Sequence, residues 1–441
     1  VNLEEKVSRA ISLLKKRAID DYEVFGMAYD TIRAESKDAG MGFLNHSRES
    51  GIGIRVLNKR SIGFAYGADP DESLIDSAVT SARHQFEDPC NHIPGPKGDY
   101  DNIDLFDEEI ALLGPDACMD RAILLETSAH ETDTRVDKVR KASFSKTLKD
   151  AYIVNSNGIS VSGRTSSVSA SIMVAAKDGQ DSQAGYDFDF SHRLKDIDII
   201  KTSNSAVAKA TDMLNARRLK TMKIPVVFDN TTTSMLLEFI SDAFLGENVM
   251  KGKSYLKDKL GKTCFSDNIT LNDNPLDTLA ASAMPFDGEG MPSQDTVLVK
   301  DGIVRSFVYD SYWAKAAGTL STGNSIRGSF RSFPCLGIRH MSMNPGNENL
   351  YHTLKKLKQV LRITDIMGMH TANPITGEFS VGVNGVLYEQ GDRCYPVRES
   401  AISGNIYELL SRVIMAGDDL REFGDVLCPS ILIDRIDISS R

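Results

Sequence analysis

The stretch KDAYIVNSNGISVSGRTSSVSASIMVAAKDG (149–179) restricts the fold more than any other segment of the chain. Serines and β-branched residues crowd it, and Asn157-Gly158 interrupts it near its start. A helix would lose side-chain freedom at each valine, isoleucine and threonine. A pleated strand accommodates them and turns sharply at Asn-Gly. A long hairpin is therefore predicted. GIGIRVLNKRSIGFAYG (51–67) predicts another: Ile52, Ile54 and Val56 alternate, and beyond Asn58-Lys59 so do Ile62, Phe64 and Tyr66.

Helical patterns flank both hairpins. Leu3, Val7, Ile11 and Leu14 share one face, which predicts a helix over 3–17, and SLIDSAVTSARHQF (73–86) gives a second. A helix around 115–133 precedes the second hairpin, and a helical segment over about 193–214 follows it. The order helix, strands, helix thus occurs twice. It predicts two α+β units, over 1–90 and 105–218, too unlike in sequence to be called a repeat. Between them EDPCNHIPGPKGDYDNID (87–104), rich in Pro, Gly and Asp, reads as a linker.

From 222 the pattern changes. IPVVFD (224–229) reads as a buried strand. A helix over 231–245 puts Leu236, Phe239, Ile240, Ala243 and Phe244 on its apolar face, with Gly246 as its stop. Hairpin signals follow at Asp301-Gly302, Asn384-Gly385 and Gln390-Gly391-Asp392. The fold class expected is α+β: two N-terminal α+β units, then a large β-rich C-terminal domain (222–441) of antiparallel hairpins with a few helices. A chain of 441 residues is in any case too long for one ordinary core.

Several function classes are disfavoured. The apolar runs are only a few residues long, too short to span a bilayer, and no basic-then-apolar segment opens the sequence. A cytoplasmic protein without a membrane partner is expected. The net charge of −10 argues against a nucleic-acid partner, because phosphate binding needs a positive footprint. The six cysteines are scattered without a C-x-x-C pair, as reduced thiols would be.

Familiar catalytic motifs are missing. His130-Glu131 is followed at the next helical turn by Thr134 and Arg135, so it lacks the second histidine of a zinc helix. GNSIRG (323–328) has one residue too many after Ser325 for a nucleophile elbow. GENVMKGKS (246–254) has five residues between its glycines where a phosphate loop has four. His84, Cys90 and His92 fit no standard zinc spacing. His370, in MGMHTANPITGEFS, is an acid/base candidate or simply a solvated loop histidine. The acidic glycine loop PFDGEGMPSQ (285–294) is the most distinctive candidate. Asp287 and Glu289 could bind a cation or polarise water; alternatively they accept backbone N–H bonds or meet Arg327 or Arg331.

The order of phrases in the last third carries more. KGKSYLKDKLGKTCFSDNITLNDNPLD (251–277), MPFDGEGMPSQDTVLVKDGIVRSFVYDSYWAKAAG (284–318), STGNSIRGS (321–329), MNPGN (343–347), DIMGMHTANPITGEFSVGVNGVLYEQGDRCYPVRESAISGN (365–405) and PSILIDRI (429–436) follow one another. This series resembles the TldD/PmbA family, historically called modulators of DNA gyrase. The resemblance implies one of two branches. TldD-like chains carry H-E-x-x-x-H on the helix opening the last domain and a zinc-binding cysteine near the C-terminus. PmbA-like chains, also called TldE, lack these ligands and pair with TldD in a metallopeptidase acting on unfolded peptides. Here LLEFISDAF (236–244) places Glu238 and Ala243 where the histidines would fall, and IMAGDDL (414–420) has no thiol. Cys428 lies further on.

The PmbA/TldE-like branch is therefore implied. No metal is expected on this chain, zinc is expected on a TldD-like partner, and a homodimer is conceivable when the chain is isolated. Asp287, Glu289, Asn324, Arg327 and His370 are candidates for a cavity or interface loop, and no residue stands out as catalytic. Two other readings remain open. One is a self-sufficient metal-dependent peptidase using Asp287, Glu289 and His370. The other is a non-enzymatic adaptor acting on a topoisomerase.

Overall fold

The computed structural model describes residues 2–440. The N-terminal half contains two runs of the same element order. The first is α1 (Leu3–Lys16), β1 (Asp21–Lys37), β2 (Gly40–Asn58), β3 (Ser61–Gly67) and α2 (Glu72–Arg83). After a short α3 (Glu108–Leu112), the second is α4 (Pro115–Thr132), β4 (Val136–Asn155), β5 (Ser160–Asp178), β6 (Asp181–Ser191) and α5 (Ile199–Asp212). The two units share one sheet, of order β3-β2-β1-β4-β5-β6. Its central pair, β1 and β4, is antiparallel, in register from Glu23 opposite Asn155 to Ser36 opposite Ala142.

Strand alternation sorts the side chains of this sheet. Val24, Ile52, Ile54 and Val56 pack with Val7, Leu14 and Ile75 beneath α1 and α2, while Ile32, Phe144 and Ile172 pack with Leu125 and Val207 beneath α4 and α5. Glycines let two helices lie directly on the outermost strands. A Cβ on Gly63 of β3 would sit 2.0 Å from the Ala78 carbonyl oxygen of α2, and one on Gly185 of β6 would sit 2.1 Å from that of Ala206 of α5. The equivalence of these contacts makes the two units structural counterparts, beyond the shared element order that the sequence showed.

The C-terminal unit follows β7 (Arg217–Arg218). It begins with β8 (Met222–Phe228), α6 (Asn230–Ser241), α7 (Gly246–Met250), β9 (Leu271–Asp273), β10 (Thr296–Lys300), β11 (Ile303–Val304), α8 (Ser311–Ala317), β12 (Ser325–Ile326), β13 (Cys335–Leu336) and β14 (Met341–Met343). It continues through α9 (Leu350–Leu354), β15 (Val360–Met367), β16 (Glu378–Glu389), β17 (Asp392–Asn405), α10 (Ile406–Leu410), β18 (Val413–Ala416), β19 (Arg421–Glu422), β20 (Val426–Cys428) and β21 (Ile431–Ser440). Its two larger sheets have the orders β18-β21-β8-β15-β16-β17-β7 and β11-β10-β9-β14-β20-β19, and β12 pairs with β13 in a third. α6 packs on β8 and β15 of the first and on β14 and β20 of the second. Its Leu236, Leu237 and Ile240 enter the largest core. The fold is mixed α+β with a β-rich C-terminal region, as expected.

Three local expectations need correction. Gly246 does not stop the long helix: α6 ends at Ser241, a 3-10 turn spans Asp242–Phe244, and Gly246 opens α7. Its missing Cβ admits the Tyr309 ring, which would lie 2.1 Å from such an atom. Asn384-Gly385 is not a turn but lies inside β16, where a Cβ on Gly385 would meet the Arg362 carbonyl oxygen at 2.0 Å. The helical segment after β6 is also shorter than 193–214, with a 3-10 turn at Leu194–Asp196 ahead of α5.

Candidate functional site

Residues 284–293 wedge between the N-terminal sheet and the C-terminal unit. Met284, Phe286 and Met291 join Phe25 and Met27 of β1, Ala151 and Ile153 of β4, and Phe330 in one buried cluster. The sheet surface is cleared for them by glycine. A Cβ on Gly163 would lie 2.5 Å from the Met284 sulfur, and one on Gly51 would lie 2.4 Å from the Phe330 ring. Gly290 adopts φ +78° with Ile159 against it, a conformation that glycine takes without steric cost. The segment 87–104 is packed rather than loose: Tyr100 donates its hydroxyl to the Gly290 carbonyl at 2.7 Å, and Asn155 donates to the Pro94 carbonyl at 2.8 Å.

Asp287 shapes this loop. Its Oδ1 accepts the backbone N–H groups of Glu289 (2.8 Å) and Met291 (2.9 Å), and its Oδ2 accepts that of Ser325 (3.0 Å). Burial, and then the neighbouring Glu289, push its carboxyl up to about 7. Replacing Asp287 by alanine is expected to lower stability by about 2 kcal/mol, measured as a urea midpoint shift. Stranding three buried donors costs more than that, but removing a carboxylate beside Glu289 offsets some of it. An unchanged midpoint would show that the loop is held by its apolar contacts alone.

Glu289 does something different. Its Oε1 accepts from Arg55 Nη1 at 3.1 Å, and its Oε2 accepts the backbone N–H of Ser311 at 3.1 Å, at the head of α8. Arg55, on β2, also donates Nε to Glu23 Oε1 at 2.9 Å and Nη2 to Glu23 Oε2. Arg327 donates Nη2 to Glu23 Oε1 and lies 4.7 Å from the centre of the Phe25 ring. Glu23 and Arg327 are at most 1% exposed and Arg55 2% exposed in their side chains, so these charges answer one another rather than water. Burial alone would raise the Glu23 carboxyl, but Arg327 and Arg55 hold it below its usual value. Burial would lower Arg55, but Glu23 and Glu289 outweigh it and raise it. Burial wins at Arg327, which is lowered despite Glu23.

Asn324 lies next to this network. It donates Nδ2 to Asp273 and to the Gly337 carbonyl (3.0 Å), and accepts from the Thr322 hydroxyl at 2.7 Å. Asp287, Glu289, Asn324 and Arg327 thus fall in one buried region. His370 stands apart, exposed in the 3-10 turn Met369–Thr371 ahead of β16. Arg331 turns to Glu49 instead. Glu23 and Arg55 were not singled out from sequence. The available signal was a lone charge inside each of the apolar runs YEVF (22–25) and GIRVL (53–57).

The donor set does not fit a zinc ion. Glu238 is exposed on α6, and Ala243 is buried in the turn that follows. The 414–420 segment meets the opposite end of α6, where Asn230 Nδ2 donates to the Asp419 carbonyl at 3.2 Å. Cys428 lies 3.3 Å from the Asn230 carbonyl oxygen, and burial, reinforced by Glu422, pushes its thiol well above the ordinary value. Among the described residues no three His, Cys, Asp or Glu side chains gather closely enough to ligate a metal.

Matches to known proteins cover most of the chain. Residues 22–85, 108–214 and 221–440 match, in turn, the models of domain 1, the central domain and the C-terminal domain of PmbA/TldA metallopeptidases. Metalloprotease PmbA of Escherichia coli O157:H7 is 26% identical over 447 residues, spanning 100% of this chain and 96% of that protein. A metalloprotease TldD homologue of Buchnera aphidicola subsp. Acyrthosiphon pisum is 25% identical, spanning 93% of this chain and 91% of its own. The crystal structure of TldE from Thermococcus kodakarensis superposes with a TM-score of 0.91 at 22% identity, covering 99% of each chain, and so shares the fold. The chain belongs to the TldD/PmbA family.

Proposed function

We propose that this chain is the PmbA/TldE-like subunit of a TldD/TldE-type metallopeptidase. It helps enclose the place where unfolded peptides are cut, and a TldD-like partner carries the zinc. The supporting observation is the pair of positions 238 and 243, which hold an exposed glutamate and a buried alanine where the family's zinc helix would present histidines. The units over 1–90, 105–218 and 222–441 serve as its domains, the first two joined at the β1–β4 seam. The loop braced by Asp287 and tied by Glu289 holds the C-terminal unit against the sheet, which fixes the cavity walls or the contact with the partner. An extended peptide can add to a sheet edge through backbone hydrogen bonds, without sequence preference. A cytoplasmic location and the absence of nucleic-acid contact belong to this reading.

Zinc content per chain tests it, after metal stripping and controlled re-addition. The chain alone is expected to retain far less than one equivalent. Hydrolysis of an unfolded peptide is expected only after a TldD-like chain is added. One tightly held equivalent, with hydrolysis by this chain alone, would overturn the proposal in favour of a self-sufficient peptidase.

A further inference from the structure

A cavity of about 240 Å³ opens where the linker segment, β2 and the C-terminal unit meet. Glu247, Glu289, Asp310, Trp313 and Phe333 are among its walls. Three of these carry carboxylates, and they differ in one respect. Glu289 has both oxygens bonded, to Arg55 and to the Ser311 N–H. Glu247 is paired with Lys251 at the C-terminal end of α7. Asp310 is 6% exposed, and its Oδ1 caps α8 by accepting the Trp313 N–H at 2.8 Å. Its Oδ2 has no hydrogen-bond or ion-pair partner among the described residues.

The cations nearby do not satisfy it. Arg55 directs its donors at Glu23 and Glu289. A metal ion is disfavoured, because among the described residues no ligand trio converges. Anions are disfavoured by the carboxylates themselves. Ile62, Pro334 and Leu336 add apolar wall, beside the polar Asn91, His92 and Tyr312. The volume is below the roughly 300 Å³ at which drug-sized pockets begin, so it suits a single side chain.

We propose that this cavity binds an organic cation on a short alkyl stem, the guanidinium or ammonium of a basic peptide side chain, with Asp310 as its counter-charge. The peptide source rests on the function proposed above, whereas the cation chemistry does not. Trp313 and Phe333 line the cavity with aromatic rings that already sit near cations of the chain, Lys251 at 5.0 Å from the Trp313 centre and Arg55 at 5.5 Å from the Phe333 centre, as rings suited to positive charge do. The titratable and charged groups that line the cavity with Asp310 are Arg55 from β2, Glu289 from the loop, Glu247 from α7, His92 from the linker segment, Cys335 from β13 and Tyr312 of α8. Burial, with Glu289 adding to it, pushes the Asp310 carboxyl up to about 7. Below that value a bound cation must displace a proton, so affinity rises with pH through it.

Trp313 is the single tryptophan of the chain and lines the cavity, so its emission reports occupancy. The full chain would be titrated with Nα-acetyl-arginine amide, its neutral isostere Nα-acetyl-citrulline amide, and n-butylammonium. The expected result is a saturable emission change with the arginine amide near pH 8, about ten-fold weaker near pH 6, and none with the citrulline amide. Asp310→Asn keeps the helix cap, since asparagine caps as well as aspartate. It is expected to weaken binding at least about ten-fold and to abolish the pH dependence. Tighter binding of the arginine amide than of n-butylammonium assigns the site to a guanidinium side chain; the reverse assigns it to an alkylammonium, as on lysine. Equal binding of the citrulline amide, unchanged binding by Asp310→Asn, or no response to any probe would overturn the proposal. None of these readouts requires hydrolysis or a partner, so they stand or fall separately from the subunit reading.

Discussion

Arg55→Met should lower the stability of the folded chain by about 3–5 kcal/mol, the largest effect expected from any single change in the buried ionic network. Arg55 joins a strand of the N-terminal sheet to the 284–293 loop across 234 residues of sequence. Methionine fills much of the same volume, so the loss is electrostatic rather than steric. It leaves Glu289 buried without its cation, and leaves Glu23 to Arg327 alone. Removing one member of a buried pair costs more than the pair contributes, because the remaining charge stays desolvated. Urea unfolding gives the number directly. The double variant Arg55→Met/Glu289→Gln, which removes the stranded charge as well, should recover some of the loss. A single variant as stable as the parent would mean that water reaches Glu289 and that the loop is not held by charge.

Gly63→Val should cost about 3 kcal/mol or more, at the upper end of overpacking effects. The clash is with helix backbone: the Ala78 carbonyl oxygen at 2.0 Å and the Ala82 nitrogen at 2.3 Å from the added Cβ. Side chains can rotate away from a new methyl, but a helix main chain must shift as a body. Gly185→Val, which meets Ala206 and Ala210 of α5 in the same way, should cost a similar amount. Gly95→Ala is the control, with only ordinary contact at 3.6 Å and an expected change within about 0.5 kcal/mol. If only one of the two valine variants were destabilised, the equivalence of the two units would be superficial.

The hairpin at 51–67 was legible from its alternation, and that at 149–179 from its β-branched residues and the turn at Asn157-Gly158. β1 was missed, and β2 was predicted eleven residues short, starting at 51 rather than at Gly40. Residues 41–49 of β2 are all exposed, so no burial pattern marks them as strand. The two-residue strands of the C-terminal unit leave even less trace, because their pairing is set by distant segments. The candidate loop could be read from its acids and glycines, but the partner of Glu289 could not. Arg55 and Glu23 are distant in sequence, and only the finished sheet brings them to the loop. Nothing in the sequence set Asp310 apart; its role as the cap of α8, and the second oxygen left to the cavity, come from the folded structure.

The seam between β1 and β4 has a further consequence. Two equivalent strands paired antiparallel map onto one another under a two-fold rotation, the relation an isologous dimer has at its interface. The N-terminal half of this molecule is therefore organised like a symmetric pair of subunits joined by a tether. The tether keeps the second subunit at a high effective concentration for the first, whatever the concentration of the protein as a whole. Dilution would dissociate a dimer of separate chains, but it leaves this pair together.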